Sequence, residues 1–248
     1  MSGRQRLDEA LVSRGLFASR SRARDAVLRG TVRVDGAAVT KPGATVGADA
    51  EIAVDDPARG YVSRSALKLV AGLDAFAVDV AGRECLDVGA STGGFTQVLL
   101  ERGAARVVAL DVGHGQLHPS LAADPRVVSL EGLNARDLAA ADLPAAPQVV
   151  VSDVSFISLT LALGPALDLA SPQARLVALI KPQFEVGRDH LGKGGIVRDR
   201  VVAEAAADRV AAWISSRPGW RAGPRIPSPI FGSDGNEEYL IEATRSPA

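Results

Sequence analysis

The sequence holds a single cysteine, Cys85, and that scarcity excludes an internal disulfide as well as a cysteine-rich zinc site. Its three histidines, His114, His118 and His190, show no ligand spacing, so no metal is expected. Also missing is any apolar run near the roughly 20 residues that span a bilayer. The opening stretch MSGRQRLDEALVSRG is charged where a secretory leader would be apolar, and a cytoplasmic protein that meets no membrane is expected. Nor is there the shortage of apolar residues that marks disorder. With 47% hydrophobic and 23% charged residues, 248 residues suffice for one large domain, or for a small domain joined to a medium one.

What is present is unevenly distributed. The net charge of -1 conceals +5 on residues 1–42, leaving -6 for the remainder. The basic side chains of that segment are Arg4, Arg6, Arg14, Arg20, Arg22, Arg24, Arg29, Arg33 and Lys41. Two readings are open: a polyanion partner, or a helix surface that is basic for solubility alone. Leu7, Ala10 and Leu11 fall at helical spacing, closed by Gly15. Ser19 can cap a second helix carrying Ala23, Ala26 and Val27, with Gly30 after it. Val32 and Val34 alternate, Asp35-Gly36 signals a turn, and Val39 then Ile52 and Val54 suggest further short strands. In the second helix Arg20, Arg22, Arg24 and Arg29 are expected on exposed flanks, where phosphates could bind. The run RLDEALVSRGLFASRSRARDAVLRGTVRVDGAAVTKPG resembles the S-four-type RNA-binding domain. That resemblance implies a basic surface recognising structured RNA, with Arg4, Arg6, Arg14, Arg20, Arg22, Arg24 and Arg29 as its candidate contacts.

From residue 82 apolar runs alternate with helix-length segments: Cys85 to Val88, Val107 to Leu110, Val127 to Leu130, Val149 to Ser152 and Leu176 to Ile180. Near-continuous apolar strands of this kind indicate a parallel sheet covered on both faces. Ile226 and the stretch Tyr239 to Ala243 could add an antiparallel hairpin at one edge. The expectation is an α/β fold, a doubly wound Rossmann-like sheet behind a small α+β domain. Its boundaries fall at 1–56 for the first domain, 57–64 for a linker and 65–248 for the second.

After the first long strand, Asp87-Val88-Gly89-Ala90-Ser91-Thr92-Gly93-Gly94-Phe95 leads into the helical run TQVLLERG. Glycine lets backbone approach a ligand, and open α/β sheets bind ligands beyond the carboxyl ends of their strands. Asp111 ends the second strand, where a carboxylate can accept both hydroxyls of a ribose. The spacing G-x-x-x-G-G lacks the G-x-G-x-x-G of dinucleotide folds and the Lys-Ser/Thr of a phosphate loop, which counts against a nicotinamide oxidoreductase and an ATPase. An acidic residue two before the first glycine suits a ligand with a cationic amino-acid end, as S-adenosyl-L-methionine has. The competing reading is a plain strand-to-helix turn. Asn134 and Asp137, after the third strand, either frame an adenine pocket or cap a helix.

Asp153 ends the fourth strand and Lys181 the fifth, so both side chains are expected together at the sheet's cofactor edge. The segments KLVAGLDAF, LDVGASTGGFTQVLL, VSDVSFISL, IKPQFEVGR and GNEEYL resemble the TlyA family of ribosomal RNA 2'-O-methyltransferases, within the wider FtsJ/RrmJ-like group. The resemblance runs over most of the chain. It implies a catalytic tetrad at Lys68, Asp153, Lys181 and Glu238, with the adjacent Glu237 as the alternative fourth member. It also implies cofactor contacts at Asp87, Gly89, Ala90, Ser91, Thr92, Gly93, Gly94, Phe95, Asp111, Asn134 and Asp153. Without it, Lys68 reads equally as a solvated helix residue. Asp153-Val154-Ser155-Phe156 is not the Asp/Asn-Pro-Pro-aromatic of amino-group methylation, and Cys85, in a strand, is not placed as the nucleophile that carbon methylation needs.

The implied partner is ribosomal RNA or a ribosomal subunit. The chain ends soon after Glu238, as the shorter family members do, which points to a cytidine of the large subunit alone. The loop at 187–199 is basic and glycine-rich and could order over RNA, or be an ordinary surface loop. Tyr61, Val62, Ser63 and Arg64 occupy the family's interdomain linker. Two rival functions stand beside the enzyme: a noncatalytic RNA-binding ribosome-assembly factor with a vestigial methyltransferase fold, and a haemolysin, for which no strongly amphipathic segment speaks.

Overall fold

The computed structural model describes residues 4–247, and the chain divides into two compact units at Gly60/Tyr61. In the first unit, strand β1 (Gln5–Arg6) enters helix α1 (Leu7–Ser13), and helix α2 (Arg20–Leu28) follows. Ser19 caps α2 by accepting from the Arg22 N–H, and Gly30 leaves it at φ +75. Short strands β2 (Val32–Val34), β3 (Ala37–Ala38), β4 (Thr45–Val46) and β5 (Ile52–Val54) complete the unit. Asp35 and Gly36, both at positive φ, turn β2 into β3, the conformation that a tight hairpin requires. Leu7, Leu11, Ala23, Ala26, Val27, Val32 and Val46 are buried together, so the helical and strand periodicities meet in one small core.

The arginines of this unit divide by their partners, which corrects the expectation that all of α2's cations lie on exposed flanks. Arg29 is only 14% exposed; it pairs with Asp25 and donates to both oxygens of Asp56, at 2.7 and 2.8 Å. Arg14 is spent on the carbonyls of Gly47, Ala48 and Ala50. Both brace the unit. Arg6 and Arg20 converge on Asp8, itself 2% exposed, and the hydrogen bond from Arg6 holds that carboxyl down to about 2. Arg22 is half-buried and donates to the carbonyls of Ala58 and Arg59, whereas Arg4 and Arg24 are exposed.

In the second unit, helix α3 (Ala66–Ala75) precedes strand β6 (Glu84–Val88), helix α4 (Gly94–Glu101), strand β7 (Arg106–Asp111), helix α5 (Pro119–Ala122) and strand β8 (Val127–Glu131). Then come strand β9 (Val149–Ser152), helices α6 (Leu159–Ala162) and α7 (Gly164–Leu169), strand β10 (Arg175–Ile180) and helix α8 (Pro182–Glu185). Helix α9 (Arg200–Ser216) leads to strands β11 (Trp220–Pro227) and β12 (Tyr239–Arg245). The sheet runs β11-β12-β10-β9-β6-β7-β8, with β10 to β8 parallel and β12 antiparallel to both neighbours. Alternate residues of each inner strand enter opposite cores. Leu86, Val88, Val150, Leu176 and Ala178 pack under α6, α7 and α9, while Cys85, Val149, Val151, Val177 and Leu179 pack under α3 and α4. Burial on both faces is why these strands read as unbroken apolar runs.

Residues 61–64, expected as linker, belong to this unit. Tyr61 and Val62 pack on its core, and the Val62 N–H donates to Gln97 Oε1 at 2.8 Å. Among the described residues no helix is long and apolar enough to cross a membrane.

Replacing Arg29 by alanine strands the Asp56 carboxylate in the interior, at a cost of about 3 kcal/mol, the scale for breaking a buried pair. Hydrogen exchange of the first unit's amides should quicken accordingly in that variant and stay unchanged in Arg24→Ala.

Candidate active site

Between β6 and β9 the sheet's strand order switches direction, and in open α/β sheets a ligand crevice opens at such a point. Gly89 (φ +86) turns the chain off β6, and a Cβ there would stand 3.0–3.1 Å from Val154. The loops after β6 and β9 can therefore lie together only because this position is glycine. Gly93 (φ +95) opens α4, and a side chain on it would overlap Leu117 and Leu121. Gly93 and Gly94 are buried supports of the loop and do not open onto the space above it.

Two joined cavities fill the crevice. A cavity of about 300 Å³ is walled by Gly89, Ala90, Ser91, Thr92 and Phe95 and by Lys68, Asp153, Lys181 and Glu238. A larger one, about 510 Å³, extends past Asp111 and Asn134 to apolar Val112, Leu133 and Ile157. Gly89, Ser91, Asp153 and Ser155 line both.

Asp111 is oriented by backbone, accepting from Ser91 N–H at 2.7 Å and Gly113 N–H at 2.8 Å on its two oxygens. Each oxygen keeps a lone pair, which leaves a pre-set acceptor for two neighbouring hydroxyls. Asn134 lines the larger cavity and also caps a short 3₁₀ turn through the Arg136 N–H. Asp137 ends that turn, is exposed and lines neither cavity.

Asp87, two residues before Gly89, is wholly buried and lines neither cavity. Thr96 Oγ1 donates to its Oδ2 at 2.7 Å, while Oδ1 has no partner. Desolvation pushes this carboxyl up to about 7 despite the Thr96 bond, with Asp153 and Asp111 adding to the rise. An unpaired buried carboxyl oxygen just before the loop, an acceptor for a diol and an apolar slot together fit a ligand with one cationic and one nucleoside end.

The four candidate catalytic residues meet as two pairs on the smaller cavity. Lys68 Nζ donates to Glu238 Oε2 at 2.5 Å, both groups being buried. Burial raises the Glu238 carboxyl and the Lys68 charge opposes the rise. Glu237 is exposed, its neighbour having taken the inward position. Lys68 is set by Gly72, one turn later on α3: a Cβ at Gly72 would lie 2.9 Å from Val177, so the helix rests directly on β10 and β12. In the second pair, Lys181 Nζ stands 2.8 Å from Asp153 Oδ1, outside hydrogen-bond geometry, and makes its directed bond to Ser155 Oγ at 2.7 Å.

The loop at 187–199 is closed by Gly192 N–H on Ile196 O and pinned by buried Asn236, which accepts from Val197 N–H and donates to Gly195 O. Three hydroxyls on the wall of the smaller cavity, those of Ser65, Ser155 and Ser233, are not singled out by the sequence, and Ser63, named there as a linker residue, lines the same wall. Serine carries no periodic signal, and the available clue for Ser155 was its position two residues after Asp153. Among the described residues no cluster of histidine, cysteine or carboxylate side chains could hold a metal.

Residues 61–245 match the FtsJ-like methyltransferase family, and residues 5–52 match the S4 domain. The 16S/23S rRNA (cytidine-2'-O)-methyltransferase TlyA of Mycobacterium tuberculosis is 48% identical over 97% of this chain and 90% of its own. The 23S rRNA (cytidine-2'-O)-methyltransferase TlyA of Campylobacter jejuni is 38% identical over 73% of this chain and 69% of its own. A solved structure from Streptococcus thermophilus, named as a hemolysin, superposes with a TM-score of 0.76 at 36% identity, covering 99% of this chain and 90% of that one.

A carboxyl raised to about 7 stabilises the fold fully below its ordinary value of 3.8, and that contribution fades as pH climbs to about 7. Between about pH 5 and pH 8 the melting temperature of the ligand-free protein should therefore fall further than that of Asp87→Asn, as scanning calorimetry can check. Parallel curves would remove the titration from Asp87.

Proposed function

Because the chain belongs to the TlyA family of FtsJ-like methyltransferases, we propose that it methylates the ribose 2'-hydroxyl of a cytidine in ribosomal RNA, that of the large subunit, using S-adenosyl-L-methionine. The observation that carries this reading is the convergence of Lys68–Glu238 and Lys181–Asp153 on one cavity floored by the glycine loop. When bound, the cofactor supplies an electrophilic methyl group on a sulfonium sulfur, which departs as a neutral thioether. Its nucleoside end would lie along Asp111 and Asn134, and its cationic end near Asp87.

A ribose hydroxyl is a weak nucleophile, so its placement and the fate of its proton set the rate. Lys181 donates an N–H that orients the hydroxyl and stabilises negative charge growing on its oxygen, and the Asp153 carboxylate beside it accepts the proton. Lys68 holds the substrate ribose or its phosphate. Glu238 keeps the Lys68 side chain in the cavity, where a long flexible amine would otherwise turn to water. The first unit is the RNA-docking module, a role supported by its S4 match and by the exposed cations Arg4, Arg6, Arg20 and Arg24. Such a substrate places the protein in the cytoplasm.

The test is transfer of labelled methyl from adenosylmethionine to separated ribosomal subunits taken from a strain lacking this gene. Label should appear on a cytidine 2'-oxygen of large-subunit RNA, and Lys181→Ala should lower it by about 100-fold or more, the scale for removing a group aimed at developing charge. Cofactor binding without transfer to any subunit would favour the noncatalytic assembly factor. Lysis of erythrocytes by purified protein, unchanged in Lys181→Ala, would favour the haemolysin.

A further inference from the structure

We propose that Ser155 is a positioning residue for Lys181, its hydroxyl giving the ammonium the direction in which it meets the reacting oxygen. This inference rests on the functional reading above. A tetrahedral ammonium has three N–H directions. One is committed to Ser155 Oγ at 2.7 Å, and the Asp153 carboxylate occupies a second side at 2.8 Å without a directed bond. Charge attraction alone is tolerant of angle; a hydrogen bond is not. Ser155 therefore decides where the remaining N–H points, and it stands on the seam shared by both cavities, where methyl donor and acceptor must meet.

The serine is itself held by a ladder between the loop after β9 and the turn after β10. Ser155 bonds Lys181, Phe156 packs on Phe184 with ring centroids 5.3 Å apart, and Ser158 Oγ donates to Glu185 Oε2 at 2.6 Å. Glu185 also accepts from the Leu159 N–H at 2.8 Å, so one carboxylate fastens the loop's far end and caps α6. Within the ladder Phe156 is held at φ +66 while 91% exposed. A non-glycine residue keeps that conformation only where its neighbours fix it, and here both flanking serines are fixed. The outcome is a loop whose hydroxyl cannot drift from the lysine.

The experiment compares wild type, Ser155→Ala and Ser155→Thr in full-length protein with methyl-labelled cofactor and large-subunit RNA. Calorimetry with adenosylhomocysteine and the lysine side-chain ¹⁵N signal, assigned through Lys181→Arg, provide readouts apart from turnover. Ser155→Ala should lower kcat about 10- to 100-fold, the range for one hydrogen bond to a charged group, with RNA KM and product affinity held within about twofold. Its Lys181 ammonium signal should exchange faster with water, and threonine should restore both signal and most of the turnover. Full turnover in Ser155→Ala, a matching loss of adenosylhomocysteine affinity, or a threonine variant as slow as alanine would overturn the proposal. Inactive wild type on every subunit, with the ammonium signal still dependent on Ser155, would overturn the functional reading instead.

Discussion

The buried ion pair between Lys68 and Glu238 joins residues 170 positions apart, and the geometry of the crevice hangs on it. Taking each charge out of water costs several kcal/mol, so the pair is tolerable only if the two groups meet in good geometry. The backbone arranges this through a match of repeats. Gly72 follows Lys68 by four residues on α3, about 6 Å of helix rise, and Leu240 follows Glu238 by two, nearly 7 Å of extended chain. The Gly72 contact with Leu240 and Val177 and the Lys68 contact with Glu238 are thus in register along one line. A larger residue at position 72 would lift the helix and separate the charges together.

Each lysine of the crevice has its own carboxylate, so two opposed pairs share one small cavity. The protein gains directed N–H groups where a reacting oxygen would sit, and in a partly desolvated site such groups act more strongly than in water. Asp87 is arranged differently. It has no cation beside it, only Thr96, and its free oxygen lies just before the turn that a positively charged ligand would cover. A positive charge bound near Asp87 would therefore relieve an unmet demand of the fold.

The parallel sheet was legible because Val149, Val150 and Val151 are buried on alternating faces, and a run with no polar member has few other structures open to it. Asp111, Asp153 and Lys181 were legible for a related reason: a charged residue that ends an apolar strand lies at the carboxyl edge of the sheet. Partner choice was not legible. Nothing local to α2 shows that Arg29 is committed to Asp56, 27 residues on, while Arg24 faces water. Nor does any spacing show that the directed bond of Lys181 goes to Ser155 instead of the carboxylate. Periodicity reports which face of an element is covered, and pairing across elements depends on distances that only the folded chain defines.

The position of β12 has a consequence for the order of folding. That antiparallel strand lies between β10 and β11, and Glu238 immediately precedes it. A chain folded only as far as β10 would have its glycine loop, Asp153 and Lys181 in place, yet would leave Lys68 at an open sheet edge with no counter-charge. Contacts spanning so much sequence close late, because the loop-closure entropy must be met before they contribute. Competence for chemistry is thus tied to the last long-range pairing of the unit, and a partly folded molecule could hold cofactor well before it could use it.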